Sequence, residues 1–353
     1  MDLVSLVERI GEAPTAALFG LLTGLTFGIA AQRSRFCLRA ATVEFARGRM
    51  EDKVSVWLLT FSTAVVWVQA AQLLGLMESA DARMMAVPGS WSGAVVGGLI
   101  FGAGMVLARG CSGRLLVLAA TGNLRSVVSG LIFAVVAQMS LSGILSPFRD
   151  RIASLWITDG GRNMDLLATI GLPSYSGLII GVLIAILALF LSRRNEIGAS
   201  RLIFASGVGF AVAMGWVLTY SLSQVAFDPV QIESATFTGP SAHTLMFFLD
   251  RNAILEFDVG LVPGVFIGAL IAAAWAKELK LQAFDDTVTM RKAMIGAALM
   301  GFGGMLAGGC AIGAGVTGGS IFVGTAWTAL FFMWVGAMLT DYLVDQRAGA
   351  ITA

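Results

Sequence analysis

Charged residues are scarce in this chain of 353 residues, at 13% of the total, and the mean hydropathy is +0.84. Soluble globular proteins carry about 25% charged residues. The scarcity therefore excludes an ordinary soluble domain and indicates a protein embedded in the lipid bilayer. The formal net charge is only +1, and the chain has no block of basic residues, so nucleic acid is not an expected partner.

Histidine and cysteine are also scarce, with one histidine and three cysteines. Three cysteines cannot all pair with one another, so free thiols are expected. The chain has no CxxC pair, and no acidic residue stands beside Cys111 or Cys310. These absences disfavour a metal site, a cofactor and a thiol oxidoreductase. No catalytic constellation occurs either, so an enzyme is not expected, and the lone His243 is interpreted as a surface or capping residue of a loop.

Long apolar runs are abundant, and they predict an all-α polytopic membrane protein. A membrane-spanning helix needs about 20 residues. The runs without charge cover residues 13–32, 54–77, 84–108, 126–148, 166–192, 202–227, 259–276 and 293–340. The last run is too long for one span, and its glycine-rich middle at 308–319 divides it into two. The sequence therefore predicts about nine spans, none of which contains a carboxylate that would indicate a proton route.

Basic residues predict the orientation of these spans. Most of the 23 Lys and Arg residues lie in the loops after spans 1, 3, 5 and 7, with Arg347 at the carboxyl end. Loops rich in Lys and Arg stay in the cytoplasm. We therefore expect a periplasmic amino terminus and a cytoplasmic carboxyl terminus. The amino terminus lacks a basic segment typical of a cleaved signal, so the first span is expected to be retained.

All three cysteines end similar glycine-rich runs, which indicates an internal repeat. Aligning Cys111 with Cys310 superposes the pairs Gly102 and Gly301, Gly104 and Gly303, and Gly110 and Gly309. Aligning Cys37 with Cys111 superposes Phe27 and Phe101, Gly28 and Gly102, and Arg35 and Arg109. A weaker fourth copy is predicted to end at Tyr220 in place of a cysteine. Small residues at helical spacing also serve close packing, but the shared cysteine ending goes beyond packing.

The copies begin at spans 1, 3, 6 and 8, so five spans separate the two halves. An odd separation inverts one half relative to the other, which is a common plan in transporters. The sequence predicts a first inverted half at 1–165 with spans 1–4, a connector span 5 at 166–200, and a second half at 201–353 with spans 6–9. Together they would form one integral membrane domain.

Short re-entrant helices are expected after the three cysteines, at Leu38–Ala46, 115–121 and 313–319. Helix N-termini that point inward present N–H groups and a positive dipole end to an anion. Arg35 and Arg109 could draw an anion inward, or serve only as positive-inside anchors. The candidate substrate path consists of Cys37, Cys111, Cys310, Arg35, Arg109, Gly110, Ser112, Gly113, Gly309 and Gly313.

The sequence resembles the YeeE/YedE family of bacterial inner-membrane proteins. The resemblance rests on the segments around Cys37, Cys111 and Cys310, in this order, and it covers nearly the whole chain. It implies an hourglass-shaped inverted repeat in which three cysteines pass thiosulfate along by transient S–H hydrogen bonds. The match departs at Arg114 and Leu115, where the family's thiosulfate carriers tend to have a small or His-containing stretch.

The resulting functional hypothesis is an inner-membrane importer of thiosulfate or a related sulfur anion. A thiol is a small, weak donor that can touch a polarisable anion and release it. No sulfurtransferase domain is fused to the chain, so a separate small cytoplasmic sulfur-carrier or sulfurtransferase protein is expected to trap the ion. The alternative hypothesis is a membrane sensor that binds a sulfur compound and signals to a cytoplasmic partner, with little or no flux.

Overall fold

The computed structural model describes residues 3–282 and 287–346, and within these ranges the chain forms helices and no strand. Arg347 and the residues after it lie outside the described part. The α-helices are α1 (Leu3–Ile10), α2 (Glu12–Ser34), α3 (Leu38–Ala46), α4 (Asp52–Leu73), α5 (Arg83–Ala86), α6 (Trp91–Leu107), α7 (Ser112–Ala120), α8 (Leu124–Leu141), α9 (Ser146–Ala153), α10 (Leu166–Thr169), α11 (Ser176–Arg194), α12 (Ala199–Ser223), α13 (Thr238–Leu249), α14 (Phe257–Trp275), α15 (Thr287–Leu306) and α16 (Gly324–Thr340).

Three further short helical segments complete the description. A 3₁₀ turn covers Asp159–Gly161, and π-helical segments cover Ala311–Gly318 and Asp341–Gln346. The segment Ala311–Gly318 directly follows Cys310 and is called the Cys310 helix below. Such π-helical turns are rare in proteins and occur frequently at functional sites.

Nine helical stretches of the described chain are long and apolar enough to cross a membrane. They are built on α2, α4, α6, α8, α11, α12, α14, α15 and α16. The prediction of an all-α polytopic membrane protein with nine spans is thereby confirmed. These helices are referred to as spans 1 to 9 in chain order.

Three of the predicted spans are interrupted near one end. The run at 84–108 is broken between α5 and α6 at Pro88 and Gly89, because proline cannot donate the helical hydrogen bond. The run at 126–148 is broken between α8 and α9, around Gly143. In the run at 166–192, Gly171 adopts a left-handed backbone and Pro173 follows, so that α11 begins only at Ser176.

Backbone contacts at glycine hold the spans together. On spans 1 and 7, which are α2 and α14, a Cβ at any of six glycines would strike the backbone of the other helix; these are Gly20, Gly24, Gly28, Gly260, Gly264 and Gly268. Span 3 approaches span 8 in the same manner through Gly97 and Gly303. Small residues allow this approach, which increases van der Waals contact where lipid supplies no hydrophobic drive.

The connecting loops form two separate sets of contacts. In one set, the loop after α7 pairs with the loop after α14, where Leu124 N–H donates to Gln282 at 3.2 Å. Arg201, in the first turn of α12, donates to Ser34 O at 3.0 Å in the same set. In the other set, Arg83 N–H donates to Ile232 O at 2.9 Å. These contacts agree with loops that alternate between two faces of the membrane.

Candidate functional site

Three spans end alike, with one residue in the left-handed conformation and a cysteine two positions later. A left-handed residue ends a helix and turns the chain, after which a new helix can begin. The pairs are Arg35 (φ 56°) with Cys37, Arg109 (φ 56°) with Cys111, and Gly308 (φ 76°) with Cys310. This geometry explains the spacing that the repeat showed in sequence, because the cysteine must follow the turn at a fixed distance.

Each cysteine is the N-cap residue of a short helix. Cys37 precedes α3, Cys111 precedes α7 and Cys310 precedes the Cys310 helix. The prediction of Leu38–Ala46 is confirmed, whereas the other two helices begin earlier than predicted, at Ser112 and Ala311. The first N–H groups of a helix lack partners within the helix and carry its positive dipole end.

Cys37 and Cys111 lie side by side and are called the thiol pair below. The Cys37 thiol interacts with the thiol and the backbone N–H of Cys111, and with the N–H of Ala40. The Cys111 sulfur interacts in turn with the N–H groups of Leu38 and Arg114. Helices α3 and α7 therefore meet N-terminus to N-terminus, and the thiol pair occupies the place where their positive ends converge.

Arg114 in the first turn of α7 interacts electrostatically with both members of the thiol pair. Among the described residues, its Nη1 atom has no hydrogen-bond partner. A guanidinium N–H beside two thiols is a strong donor for an anion. In the sequence, Arg114 stood out only as a departure from a family motif. Arg114 follows the capping Cys111 by three residues, which is within one helical turn. This spacing is the signal that would have placed Arg114 in the site.

The two arginines that the sequence analysis did place in the path are exposed. The Arg35 side chain is 64% exposed and forms an ion pair with Glu278 at 3.3 Å. Gln32 donates to the same carboxylate at 2.8 Å. Arg109 is exposed at the end of α6. Both cations lie at a helix C-terminus, which the helix dipole favours. Their role in drawing anions inward stays a prediction.

Cys310 is fully buried and lies against the loop that leads into α13. Its sulfur accepts hydrogen bonds from the N–H of Phe237 at 3.3 Å and from the N–H of Gly313 at 3.4 Å. The Thr236 hydroxyl lies 3.9 Å from the same sulfur. Phe237 is the N-cap residue of α13. Here too two short helices meet at their N-termini, but only one of them is capped by a cysteine.

Helix α13 joins the three short helices capped by cysteine as a fourth whose N-terminus meets another, and the sequence did not locate its start. Tyr220 lies inside α12, which continues to Ser223, so the expectation that Tyr220 stands in place of a fourth cysteine is wrong. The chain then runs without regular helix until Phe237. Because this irregular segment separates Phe237 from α12, a constant spacing from the glycines of α12 could not locate Phe237.

A cavity of about 210 Å³ borders Cys310 through Gly309 and Thr236 and is called the His243 cavity below. Its lining residues are Arg83, Leu141, Thr236, Thr238, Gly239, His243, Gly304, Met305, Gly308 and Gly309. Two of these residues, Arg83 and His243, can carry positive charge. The cavity therefore combines cationic groups, hydroxyls and backbone next to a thiol, as a small oxyanion requires.

Two contacts between basic and acidic side chains influence the charge of this cavity. Arg83 lies 3.6 Å from the carboxylate of Glu233, and His243 Nδ1 lies 2.9 Å from Asp258 Oδ2. The hydrogen bond to Asp258 raises the pKa of His243 above its ordinary value, although burial opposes the shift. Burial, with the nearby charge of Asp258, raises the pKa of Glu233 to about 8. Both shifts favour the protonated forms, so a positive His243 in the cavity and a neutral Glu233 beside Arg83 are favoured as pH falls.

His243 and Asp258 correct two expectations of the sequence analysis. His243 lies on α13 rather than in a loop, and its side chain is only 34% exposed. Asp258 lies in the first turn of α14 and is 2% exposed. The predicted seventh span began at residue 259, one residue too late to include this carboxylate. A buried carboxylate therefore does lie at the end of a span.

The remaining predicted site residues are small and permit close contacts. A Cβ on Gly309 would lie 2.7 Å from Ala314 N, and a Cβ on Gly313 would strike the Thr236 side chain. A Cβ on Gly110 would meet only ordinary contacts. Ser112 is 5% exposed, and its hydroxyl has no hydrogen-bond partner in the described part of the chain. A Cβ on Gly113 would lie 3.1 Å from the ring of Phe237.

Sequence comparison supplies the family. The family described as sulphur transport matches residues 33–339, which include all three cysteines and their short helices. The chain belongs to this family. Among its relatives are two proteins named thiosulfate transporter TsuA. The protein of Escherichia coli (strain K12) is 26% identical over 94% of this chain and 95% of its own. The protein of Spirochaeta thermophila is 28% identical over 93% of this chain and 99% of its own.

A third relative covers only part of the chain. The probable transporter YedE of Escherichia coli (strain K12) is 32% identical over 26% of this chain and 24% of its own. Membership of the family confirms the resemblance that the three cysteine segments indicated. This member of the sulphur transport family is therefore a multi-pass membrane protein with a role in transport.

Proposed function

We propose that the protein imports thiosulfate, or a closely related sulfur anion, across the bacterial inner membrane, and that its thiols hold the ion through transient S–H hydrogen bonds. The observation that carries this proposal is the placement of Cys310 and the thiol pair at the N-termini of short helices. The relatives that match nearly the whole chain are named thiosulfate transporters.

The converging helix ends supply what an anion loses when it leaves water. An anion in a membrane protein needs hydrogen-bond donors and positive potential in place of its hydration shell. Helices α3 and α7 meet at the thiol pair, while α13 and the Cys310 helix meet at Cys310. Each meeting point brings two positive dipole ends to one spot, which suits a compact anion.

The hydrogen bonds of Cys310 favour donation of its S–H proton to the substrate. Its sulfur already accepts from two backbone N–H groups, of Phe237 and Gly313. The proton of the thiol is then free to point toward an anion in the adjoining space. Because S–H is a weak donor, such a contact holds the ion briefly and lets it go, and release is as necessary to transport as binding.

The proposed route begins in the His243 cavity, passes Cys310, reaches the thiol pair and leaves past Arg114. Arg83 and His243 attract the anion at the entrance. Arg114 offers an unpartnered guanidinium N–H at the exit. Positive groups at both ends and weak donors between them would allow the ion to enter and leave without a deep trap.

The proposed orientation places the thiol pair toward the cytoplasm and the His243 cavity toward the periplasm. It rests on the excess of Lys and Arg in the loops after spans 1, 3, 5 and 7. Entry of an anion against a negative-inside potential costs about 2.3 kcal/mol per charge per 100 mV. A separate cytoplasmic sulfur-carrier or sulfurtransferase protein that consumes the ion would offset this cost.

The helix pairing supports an inverted repeat with span 5 as the connector. In this repeat, spans 1, 2, 3 and 4 of the first half correspond to spans 6, 7, 8 and 9 of the second half. The packing of span 1 against span 7 should then recur as the packing of span 6 against span 2. Helix α2 packs along α14, and α12 packs along α4. By the same rule α6 packs along α16, and α15 along α8. We therefore retain the halves 1–165 and 201–353 around the connector 166–200.

The test is uptake of labelled thiosulfate by cells that lack other importers. We expect Cys111→Ala and Cys310→Ala to abolish uptake, because each removes the donor at one step of the route. Ser192→Ala is the matched control: Ser192 is equally buried, on α11, and its hydroxyl bonds only to its own helix at Ala188 O. The amount of each variant in the membrane is measured by immunoblot.

Normal uptake by both cysteine variants would refute the thiol route. Flux in proteoliposomes separates the importer from the alternative, a sensor that signals to a cytoplasmic partner. Tight binding of thiosulfate by purified protein without any flux into vesicles would establish the sensor instead.

A further inference from the structure

Phe237 is the N-cap residue of α13, one of the four short helices whose N-termini converge, and it is the one of these four N-caps that is not a cysteine. Four short helices meet in two pairs, and their N-cap residues are Cys37, Cys111, Phe237 and Cys310. A thiol therefore stands at three of these positions and an apolar ring at the fourth. The backbone of Phe237 shares the role of its counterparts, because its N–H donates to the Cys310 sulfur at 3.3 Å. Only its side chain differs in kind.

The ring of Phe237 points from Cys310 toward the thiol pair. It lies 3.1 Å from the position of a Cβ on Gly113, and Gly113 is two residues after Cys111. On another side it packs edge to face against Phe27, with ring centroids 5.0 Å apart. Both rings are 1% exposed. The ring is therefore wedged between α2 and α7 while its own backbone touches Cys310.

An apolar ring in this place opposes the passage of an anion. The side chain offers no hydrogen-bond donor, and it fills space that the ion and its remaining water would occupy. Hydrophobic constrictions close pores by excluding water in this manner. Phe237 differs in this respect from its three thiol counterparts, which can each donate a proton.

We propose that the Phe237 ring is the barrier between Cys310 and the thiol pair, and that it must swing aside each time an ion passes. This inference rests on the proposed transport function. Gly113 puts no side chain in the path of the ring, because it alone among the first residues of α7 lacks one. The barrier keeps the two thiol sites from being open to both faces of the membrane at once.

The barrier is tested by the sidedness of thiol labelling, which does not depend on thiosulfate transport. Cys111 is made the sole cysteine by Cys37→Ala and Cys310→Ala. A membrane-impermeant anionic methanethiosulfonate is then applied to right-side-out and to inverted membrane vesicles. With Phe237 present, we expect Cys111 to react from one face only. With Phe237→Leu added, we expect it to react from both faces.

Leucine is used first because it keeps most of the buried apolar volume and the variant folds more readily than one with alanine. Phe237→Ala is the second variant, and monodisperse elution in detergent verifies folding of each. Phe19→Leu is the matched control. Phe19 is a buried phenylalanine on α2, eight residues before Phe27 and so about 12 Å away along the helix axis. Labelling whose sidedness is the same with and without Phe237 overturns the proposal.

A substitution at Gly113 tests the need for ring movement. Gly113→Ala places a methyl group against the ring, and alanine suits the helix better than glycine does. In the protein with all three cysteines, we expect Gly113→Ala to reduce thiosulfate uptake severalfold at normal abundance. Uptake equal to that of the unsubstituted protein would show that the ring need not move. Absence of uptake by the unsubstituted protein would refute the transport function, while the labelling result would still decide on the barrier.

Discussion

His243 is the residue whose charge can change under physiological conditions at the mouth of the proposed route. Its hydrogen bond to Asp258 raises its pKa, and burial raises the pKa of the neighbouring Glu233 to about 8. As pH rises, His243 loses its positive charge and Glu233 gains a negative one. Both changes make the His243 cavity and its surroundings less attractive to an anion.

Thiosulfate uptake is therefore expected to fall as the pH at the His243 face rises from 6 to 8.5. The loss of one partly exposed charge corresponds to about 1 kcal/mol, or roughly a fivefold weaker apparent affinity. His243→Gln should remove most of this pH dependence, and Glu233→Gln should remove the part nearest pH 8. Initial rates in proteoliposomes measure the effect. A profile unchanged in both variants would show that these groups do not face the substrate.

The raised pKa values of His243 and Glu233 also fix the sign of the pH dependence of stability. The folded protein binds these protons more tightly than the unfolded chain, so each raised pKa favours folding at lower pH. For Glu233 the free energy of unfolding declines between its ordinary pKa of 4.5 and about 8. The contribution of His243 to the free energy of unfolding is complete below pH 6.5, its ordinary pKa. It is lost as the pH rises through the raised pKa of the folded protein.

At the scale of elements, the molecule depends on helices that touch backbone to backbone. Spans 1 and 7 are the clearest case, with Gly24 facing Leu261 O and Gly260 facing Ala17 O. Added side-chain volume at such a contact cannot be absorbed by a change of rotamer, because the opposing atoms belong to the backbone. One of the two helices has to move.

Gly260→Ala is expected to lower the free energy of unfolding by about 1–3 kcal/mol, the range typical of overpacked cores. Gly130→Ala on α8 is the matched control. A Cβ at Gly130 meets nothing within 4 Å, and alanine raises helix propensity, so this variant should be neutral or up to about 1 kcal/mol more stable. Thermal unfolding in detergent compares the two. Equal stability of both variants would contradict the backbone contact.

At the scale of the whole molecule, the two sets of loop contacts divide the protein into two faces. The proposed orientation puts Lys280 in the cytoplasm and Asp159 in the periplasm. In a variant without native cysteines, Asp159→Cys should react with an impermeant maleimide added to spheroplasts, whereas Lys280→Cys should react only after lysis. Both positions are exposed. The reverse pattern would invert the direction of the proposed route.

Much of the architecture follows from patterns that are local in the chain. The number of spans could be predicted because about 20 apolar residues are needed to cross the bilayer. Helix α3 was predicted to the residue as the short helix that follows Cys37. The family could be recognised from the cysteine segments. The inverted repeat and the membrane orientation were derived from the same patterns and remain predictions.

Contacts between distant segments were beyond such reasoning. Nothing local indicates that Arg114 interacts with Cys37 as well as with Cys111, or that His243 pairs with a buried Asp258. Phe237 escaped notice because a long irregular segment separates it from α12.

The sequence by itself determined a nine-span membrane protein with three free thiols at repeated positions, because hydropathy and helix-ending turns depend on neighbouring residues. Only the tertiary structure decided which helix ends meet. It brought Cys37 to Cys111, and Phe237 to Cys310, through the packing of glycine-lined spans that lie far apart in the chain. These meetings depend on backbone contacts across the bundle, which no single segment encodes.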